Sequence, residues 1–176
     1  GALQPLAFEI LSECEPREVV PDLVAVLARA TGSLGMVGGQ VLDIESSAGE
    51  PTPASVHKLQ AMKTAAVIEA AAEMGALVAG ASSAEAATAA LWGKSIGLCF
   101  QVVDDLLDVT ADEKTLGKPV GQDLCEGRLT LPWIDLLRTG TPRERDAVLA
   151  ALASGACSAW VSSGGCQGRV PGAVLG

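Results

Sequence analysis

Three carboxylates, Asp104, Asp105 and Asp108, interrupt an otherwise apolar run from Lys94 to Asp108. At about 100° per residue the run has two sides. Lys94, Gly97, Gln101, Asp104, Asp105 and Asp108 fall on one stripe. Trp92, Ile96, Cys99, Phe100, Val103, Leu106 and Leu107 cover the rest. The pattern predicts a mostly buried helix with an acidic seam. Acids are among the residues least often buried unless they are paired or bind a metal, so the seam should face a cavity that holds cations. Carboxylates at i, i+1 and i+4 offer hard oxygen ligands over one turn. Mg²⁺ takes such ligands, keeps several waters and completes its shell with phosphate oxygens. Basic groups are available nearby in sequence. Lys114, Lys118 and Arg128 lie in a glycine-punctuated loop after the acids, and Lys63-Thr64 adds a cation and a hydroxyl before them. Acids for magnesium beside bases for phosphate oxygens describe a diphosphate site, and apolar walls suit a hydrocarbon. A DDxxD alone is a weak motif that usually marks a solvated helix end. The apolar remainder of the helix and the basic positions after it give this one its weight.

The elements that must position these groups read as helices. Ala2–Ser12, Val19–Ala30 and Gly35–Ile44 show helical spacing, with Pro21 and Asp22 suited to a first turn. In the third, Gln40 and Asp43 share a face. Ser46–Pro53 reads as a loop. Ser55 is the expected N-cap of one long helix from Val56 to about Gly80. Ser82-Ser-Ala-Glu85 resembles a capping box for the central helix. Asp112–Arg128 is a polar loop, and Leu129–Leu137 and Pro142–Ala153 are further helical pieces. No segment alternates with period two, so the fold class is all-α. Ser154–Gly176, rich in glycine and without a helical period, reads as an unstructured tail.

Composition narrows the partners. The 176 residues could form one domain with a sizeable core. A net charge of −9 without a Lys/Arg cluster argues against a nucleic-acid surface. It leaves an anionic small substrate open, because a metal inverts the local sign. No uninterrupted apolar run reaches the roughly 18 residues of a membrane span. Five scattered cysteines (Cys14, Cys99, Cys125, Cys157, Cys166) form no CxxC pair, so neither a zinc site nor a disulfide framework is indicated. The chain opens on Gly1, shows no targeting segment, and its start reads as cut. His57 reads as a surface residue, Trp92, Trp133 and Trp160 as packing, Cys99 as a small hydrophobe in the buried helix, and Glu69 and Glu73 as a solvated face.

Gly35-Met-Val-Gly-Gly-Gln-Val-Leu-Asp43, Lys63-Thr64, Phe100-Gln-Val-Val-Asp-Asp-Leu-Leu-Asp108, Gly117-Lys-Pro-Val-Gly-Gln-Asp-Leu124 and Gly127-Arg-Leu-Thr-Leu-Pro132 follow one another in this order. The ordered set resembles the trans-polyprenyl diphosphate synthases, nearest to the geranylgeranyl diphosphate synthases, over Gly1 to about Ala153. The resemblance implies a partial synthase domain over 1–153, with an incomplete isoprenoid synthase-type helical bundle and 154–176 as the tail. It implies Mg²⁺-dependent condensation of isopentenyl diphosphate with an allylic prenyl diphosphate, and a homodimer or heterodimer in the full-length form. A plastid or the cytoplasm is the expected compartment.

Carried over by position, Asp104, Asp105 and Asp108 match metal ligands. Lys63 and Lys118 match lysines on the allylic diphosphate. Thr64 and Gln101 line the ionising carbon, and Gln40 and Asp43 the cavity floor. Phe100 lies in the same substrate-binding motif. Arg128 stands where the family has lysine, keeping the charge but changing the geometry. The family's first aspartate-rich motif and its isopentenyl diphosphate positions have no counterpart in these residues, which implies that the chain alone is inactive. A non-catalytic small subunit partnering a complete synthase is the competing reading. A terpene cyclase and a plain helical module fit the motif set less well.

Overall fold

The computed structural model describes residues 2–45, 51–111 and 121–154. Among these every regular element is helical. In order they are α1 (Leu3–Ser12), a 3₁₀ turn (Arg17–Val19), α2 (Val20–Thr31), α3 (Met36–Glu45), α4 (Pro53–Gln60), a π-helical turn (Ala61–Ala65), α5 (Ala66–Val78), α6 (Ser83–Thr110), α7 (Gln122–Cys125), α8 (Leu131–Thr139) and α9 (Pro142–Ser154). The all-α expectation holds. The loop positions Lys114 and Lys118, and the tail from residue 155, lie outside the described residues.

The chain divides into two compact units: Gly1–Ser46 with His57–Gln101, and Ser47–Val56 with Val102–Gly176. In the first, α2 packs on α5, α1 on α2, and α3 on the π turn. Pro21 in the first turn of α2 costs no hydrogen bond, and Asp22 and Arg29 oppose the helix dipole at its two ends. Leu23, Val26, Leu27 and Ala30 of α2 are buried, and Val26 and Ala30 meet Ala70, Met74 and Leu77 of α5. In the second unit α9 packs on α7 and α8. Its core is Leu124, Trp133, Val148 and Ala151. Pro132 falls in the first turn of α8, where it is tolerated.

The long helix expected from Val56 to Gly80 is instead broken by the π turn. Its cap is also one turn earlier than expected. Thr52 Oγ1 accepts the Ser55 amide at 3.1 Å, and Ser55 Oγ accepts the Thr52 amide at 2.9 Å. Ser55 is therefore the third-position partner of the cap, and the helix begins at Pro53. The Ser82–Glu85 box is as expected. Glu85 Oε2 accepts the Ser82 amide at 2.8 Å, and Ser82 Oγ accepts the Glu85 amide at 3.4 Å.

The burial of α6 is the reverse of the expectation. Leu91, Trp92, Ile96, Cys99, Phe100, Val103 and Leu107 are exposed, Trp92 by 69%. The buried side runs through Ala86, Ala90, Gly93 and Gly97. The reason is size. A Cβ on Gly93 would lie 2.7 Å from the Ile68 carbonyl oxygen, and one on Gly97 would lie 2.6 Å from Ala65 Cα. The small residues let α6 approach the π turn and α5 closely, which the large apolar side could not do. Among the described residues, no element within either unit covers the large side. Cys99 and Trp92 are accordingly surface residues, whereas Trp133 is 2% exposed and packed as expected.

The stretch Arg17–Glu45 and helix α6 are each long and apolar enough, by length and composition, to cross a membrane. Neither is the uninterrupted apolar run of that length that the sequence is expected to lack. Gly32–Gly35 interrupts the first, and Lys94 and the three aspartates lie within the second.

Candidate diphosphate site

In the first unit the structure brings four of the expected residues into two bonded pairs. Lys63 Nζ stands 2.5 Å from Asp43 Oδ2, joining the π turn to α3. Both side chains are half-buried. The neighbouring hydroxyl, Thr64 Oγ1, donates to Gln101 Oε1 on α6. These adjacent residues of the π turn reach two different helices. A π insertion widens the turn, and such turns recur at functional sites. Close approach is again arranged by glycine: a Cβ on Gly39 would lie 2.5 Å from Lys63 N and 2.7 Å from its Cα. Gln40 is exposed on α3 and Phe100 is exposed on α6, so neither joins these pairs. Lys94, placed by the periodicity on the acidic stripe, stands 3.7 Å from Glu69 of α5. Glu69 and Glu73 are not a solvated face. They are half-buried and, with Arg29, line a cleft of about 220 Å³ between α2 and α5.

In the second unit the three aspartates have unequal surroundings. Asp104 is exposed. Asp105 is 6% exposed, and its Oδ2 accepts the Leu131 amide, at the start of α8, at 3.5 Å. Asp108 has no exposed surface. Its Oδ2 accepts the Asp123 amide at 3.3 Å, and its backbone carbonyl accepts the Gly121 amide at 2.7 Å. Gly121 has φ 73°, a left-handed conformation that favours glycine. Gly127, at φ 77°, ends α7 in the same way and lets the Arg128 amide close on the Asp123 carbonyl at 2.7 Å. The Arg128 guanidinium then returns over α7. Its Nε and Nη2 donate to Asp123 Oδ1 at 3.2 and 2.7 Å, and Nη2 stands 2.6 Å from Glu126 Oε2.

Asp104 fits a magnesium ion of the kind the sequence implies, because it is a hard oxygen donor open to water and phosphate. Among the described residues no three His, Cys, Asp or Glu side chains are grouped to hold a metal by themselves. A site here would draw most of its ligands from water and substrate, as magnesium sites do. Sequence reasoning missed the roles of Asp123 and Glu126, the residues that hold Arg128. The signal was present in the Gly121 and Gly127 positions, which mark tight turns on either side of them.

Among the described residues every regular element is helical, and α6 carries Gln101, Asp104, Asp105 and Asp108. The polyprenyl synthetase family matches residues 2–160, and the chain belongs to that family. It is 41% identical over 138 residues to geranylgeranyl pyrophosphate synthase 11, chloroplastic, of Arabidopsis thaliana, covering 74% of this chain and 39% of that protein. It is 39% identical over 152 residues to the farnesyl diphosphate synthase of Escherichia coli, covering 84% of this chain and 51% of that protein. The polyprenyl synthase of Caulobacter crescentus, solved with calcium and isoprenyl diphosphate, superposes with a TM-score of 0.68 at 34% identity, over 75% of this chain and 40% of that one. The chain thus spans between about two fifths and half of the relatives it matches.

Proposed function

We propose that this chain supplies the allylic-diphosphate side of a prenyl diphosphate synthase, which condenses isopentenyl diphosphate with an allylic prenyl diphosphate in a Mg²⁺-dependent reaction. The observation that supports this most is the Thr64–Gln101 bond. It ties the π turn to Gln101 of α6, three residues before Asp104 on the same helix. Bound magnesium would neutralise charge as it develops on the leaving diphosphate. Asp104 would hold it by a carboxylate oxygen, with Asp105 and Asp108 on the same helix completing the acidic motif. Lys63, Lys118 and Arg128 would meet phosphate oxygens. Asp43 keeps the Lys63 ammonium oriented before substrate arrives, which lowers the cost of ordering it at that moment. The hydroxyl and amide of Thr64 and Gln101 would set oriented dipoles beside the ionising carbon. Stabilisation of this kind acts where charge appears in the transition state, so it raises kcat rather than binding alone.

The relatives include both geranylgeranyl and farnesyl synthases. The product of this chain is proposed as geranylgeranyl-type on the ordered motif set, and a plastid setting on the chloroplastic relative. Residues 1–176 hold one aspartate-rich motif, and the proposed reaction draws on acids from two walls. The test is to supply the purified chain with Mg²⁺, labelled isopentenyl diphosphate and a farnesyl-length allylic diphosphate. No longer product is expected from the chain alone, and product is expected when a separate segment carrying the other aspartate motif is added. Steady turnover by the chain alone would contradict the two-wall requirement. No turnover with a complementary segment would contradict the enzymatic reading in favour of a non-catalytic subunit.

A further inference from the structure

Asp108 shares a motif with Asp104 but not its surroundings. Its side chain is sealed from solvent, and it grips the chain as it returns at the start of α7. The carboxylate takes the Asp123 amide and the backbone carbonyl takes the Gly121 amide. Asp123, so placed, receives the Arg128 guanidinium through two nitrogens on one oxygen. The contacts form a relay within the second unit: Asp108 fixes the Asp123 backbone, and the Asp123 side chain fixes Arg128. A magnesium site of the proposed kind needs a carboxylate open to water and phosphate. Asp104, one turn earlier, is open, and Asp108 is closed.

We propose that Asp108 is a positioning residue: it clamps the Gly121–Arg128 turn and thereby sets the Arg128 guanidinium, and it does not ligate the metal. The clamp itself is independent of the proposed function. Its consequence for diphosphate binding through Arg128 rests on that reading.

Asparagine separates the two roles. Its side-chain carbonyl accepts an amide as the carboxylate does, but it is a poor magnesium ligand. Two readouts are taken on the full chain: hydrogen exchange at the Gly121 and Asp123 amides, and calorimetric titration with inorganic pyrophosphate in Mg²⁺. Asp108→Ala is expected to speed exchange at Asp123 by about tenfold or more, in line with losing a charge-assisted hydrogen bond, and to weaken pyrophosphate binding. Asp108→Asn is expected to restore both to within about threefold of the parent. Asp104→Asn is expected to leave exchange unchanged and to weaken only the magnesium-dependent binding.

If Asp108→Asn weakens magnesium-dependent binding as much as Asp104→Asn does, Asp108 is a ligand and the proposal is overturned. Unchanged Asp123 exchange in Asp108→Ala would overturn it equally. If the parent chain binds no magnesium pyrophosphate, the proposed function fails, while the exchange data still decide the clamp. If Asp108→Ala does not fold, Asp108→Asn decides alone: parent-like exchange supports the clamp, and rapid exchange at Asp123 overturns it.

Discussion

Gly39 lies so close to Lys63 that a Cβ there would stand 2.5 Å from the Lys63 backbone nitrogen. The contact is with main chain, which cannot swing aside as a side-chain tip can. It sets the spacing of α3 from the π turn and so the reach of Asp43 to the Lys63 ammonium.

Gly39→Ala should therefore destabilise the chain. Overpacking of this kind costs roughly 1–3 kcal/mol, whereas an alanine in an open helix would stabilise relative to glycine. Denaturant unfolding decides the sign. Gly75, also in a helix but with open space around its Cβ position, is the control, and Gly75→Ala should raise stability.

The two tryptophans of opposite burial make a second test. Trp133 is 2% exposed, against Leu124, Val148 and Ala151, and Trp92 is 69% exposed on α6. Trp133→Ala should cost about 3–5 kcal/mol, and Trp92→Ala should stay within about 0.5 kcal/mol of the parent. Chemical denaturation of the two variants measures both. Comparable losses would mean that the large apolar side of α6 is packed after all.

The start of α6 should respond to pH. The Glu85 carboxyl is held below its usual value, first by the hydrogen bond from the Ser82 hydroxyl and then by the Ser82 amide. A lowered carboxyl stabilises the fold at pH above its unfolded value, and that contribution is lost as pH falls through the lowered one. Ser82→Ala removes the larger cause and should return Glu85 toward the ordinary carboxylate range. Carbon-13 titration of the Glu85 side chain in the two proteins is the direct check, with a downward shift in the parent that shrinks in the variant.

Much of this molecule was legible in its sequence, for identifiable reasons. Helix positions follow from apolar spacing and from Pro21, Pro132 and the Ser82–Glu85 box, all of which act within a few residues. The pairing of Asp43 with Lys63, and of Thr64 with Gln101, was foreshadowed only by their shared presence in one ordered motif set. Their contacts are made from a π turn that no local propensity announces. The packed side of α6 departs from the expectation because side-chain size, not hydrophobicity, decides it. Ala86, Ala90, Gly93 and Gly97 bury well since they are small, and their stripe continues into Asp105 and Asp108. The burial of those acids is set within the second unit, where Asp105 meets the Leu131 amide and Asp108 the Asp123 amide. The three aspartates of one short motif thus meet different surroundings, exposed at Asp104 and buried at Asp105 and Asp108.

The central proposal is that the acidic end of α6 accepts a metal and a diphosphate together. Calorimetric titration of the chain with an unreactive allylic thiodiphosphate, with and without Mg²⁺, tests this most directly. Magnesium should tighten diphosphate binding by about tenfold or more through mutual coupling, and Asp104→Asn should abolish that gain while leaving the fold intact. Equal affinity with and without magnesium in the parent, or an undiminished gain in Asp104→Asn, would contradict it.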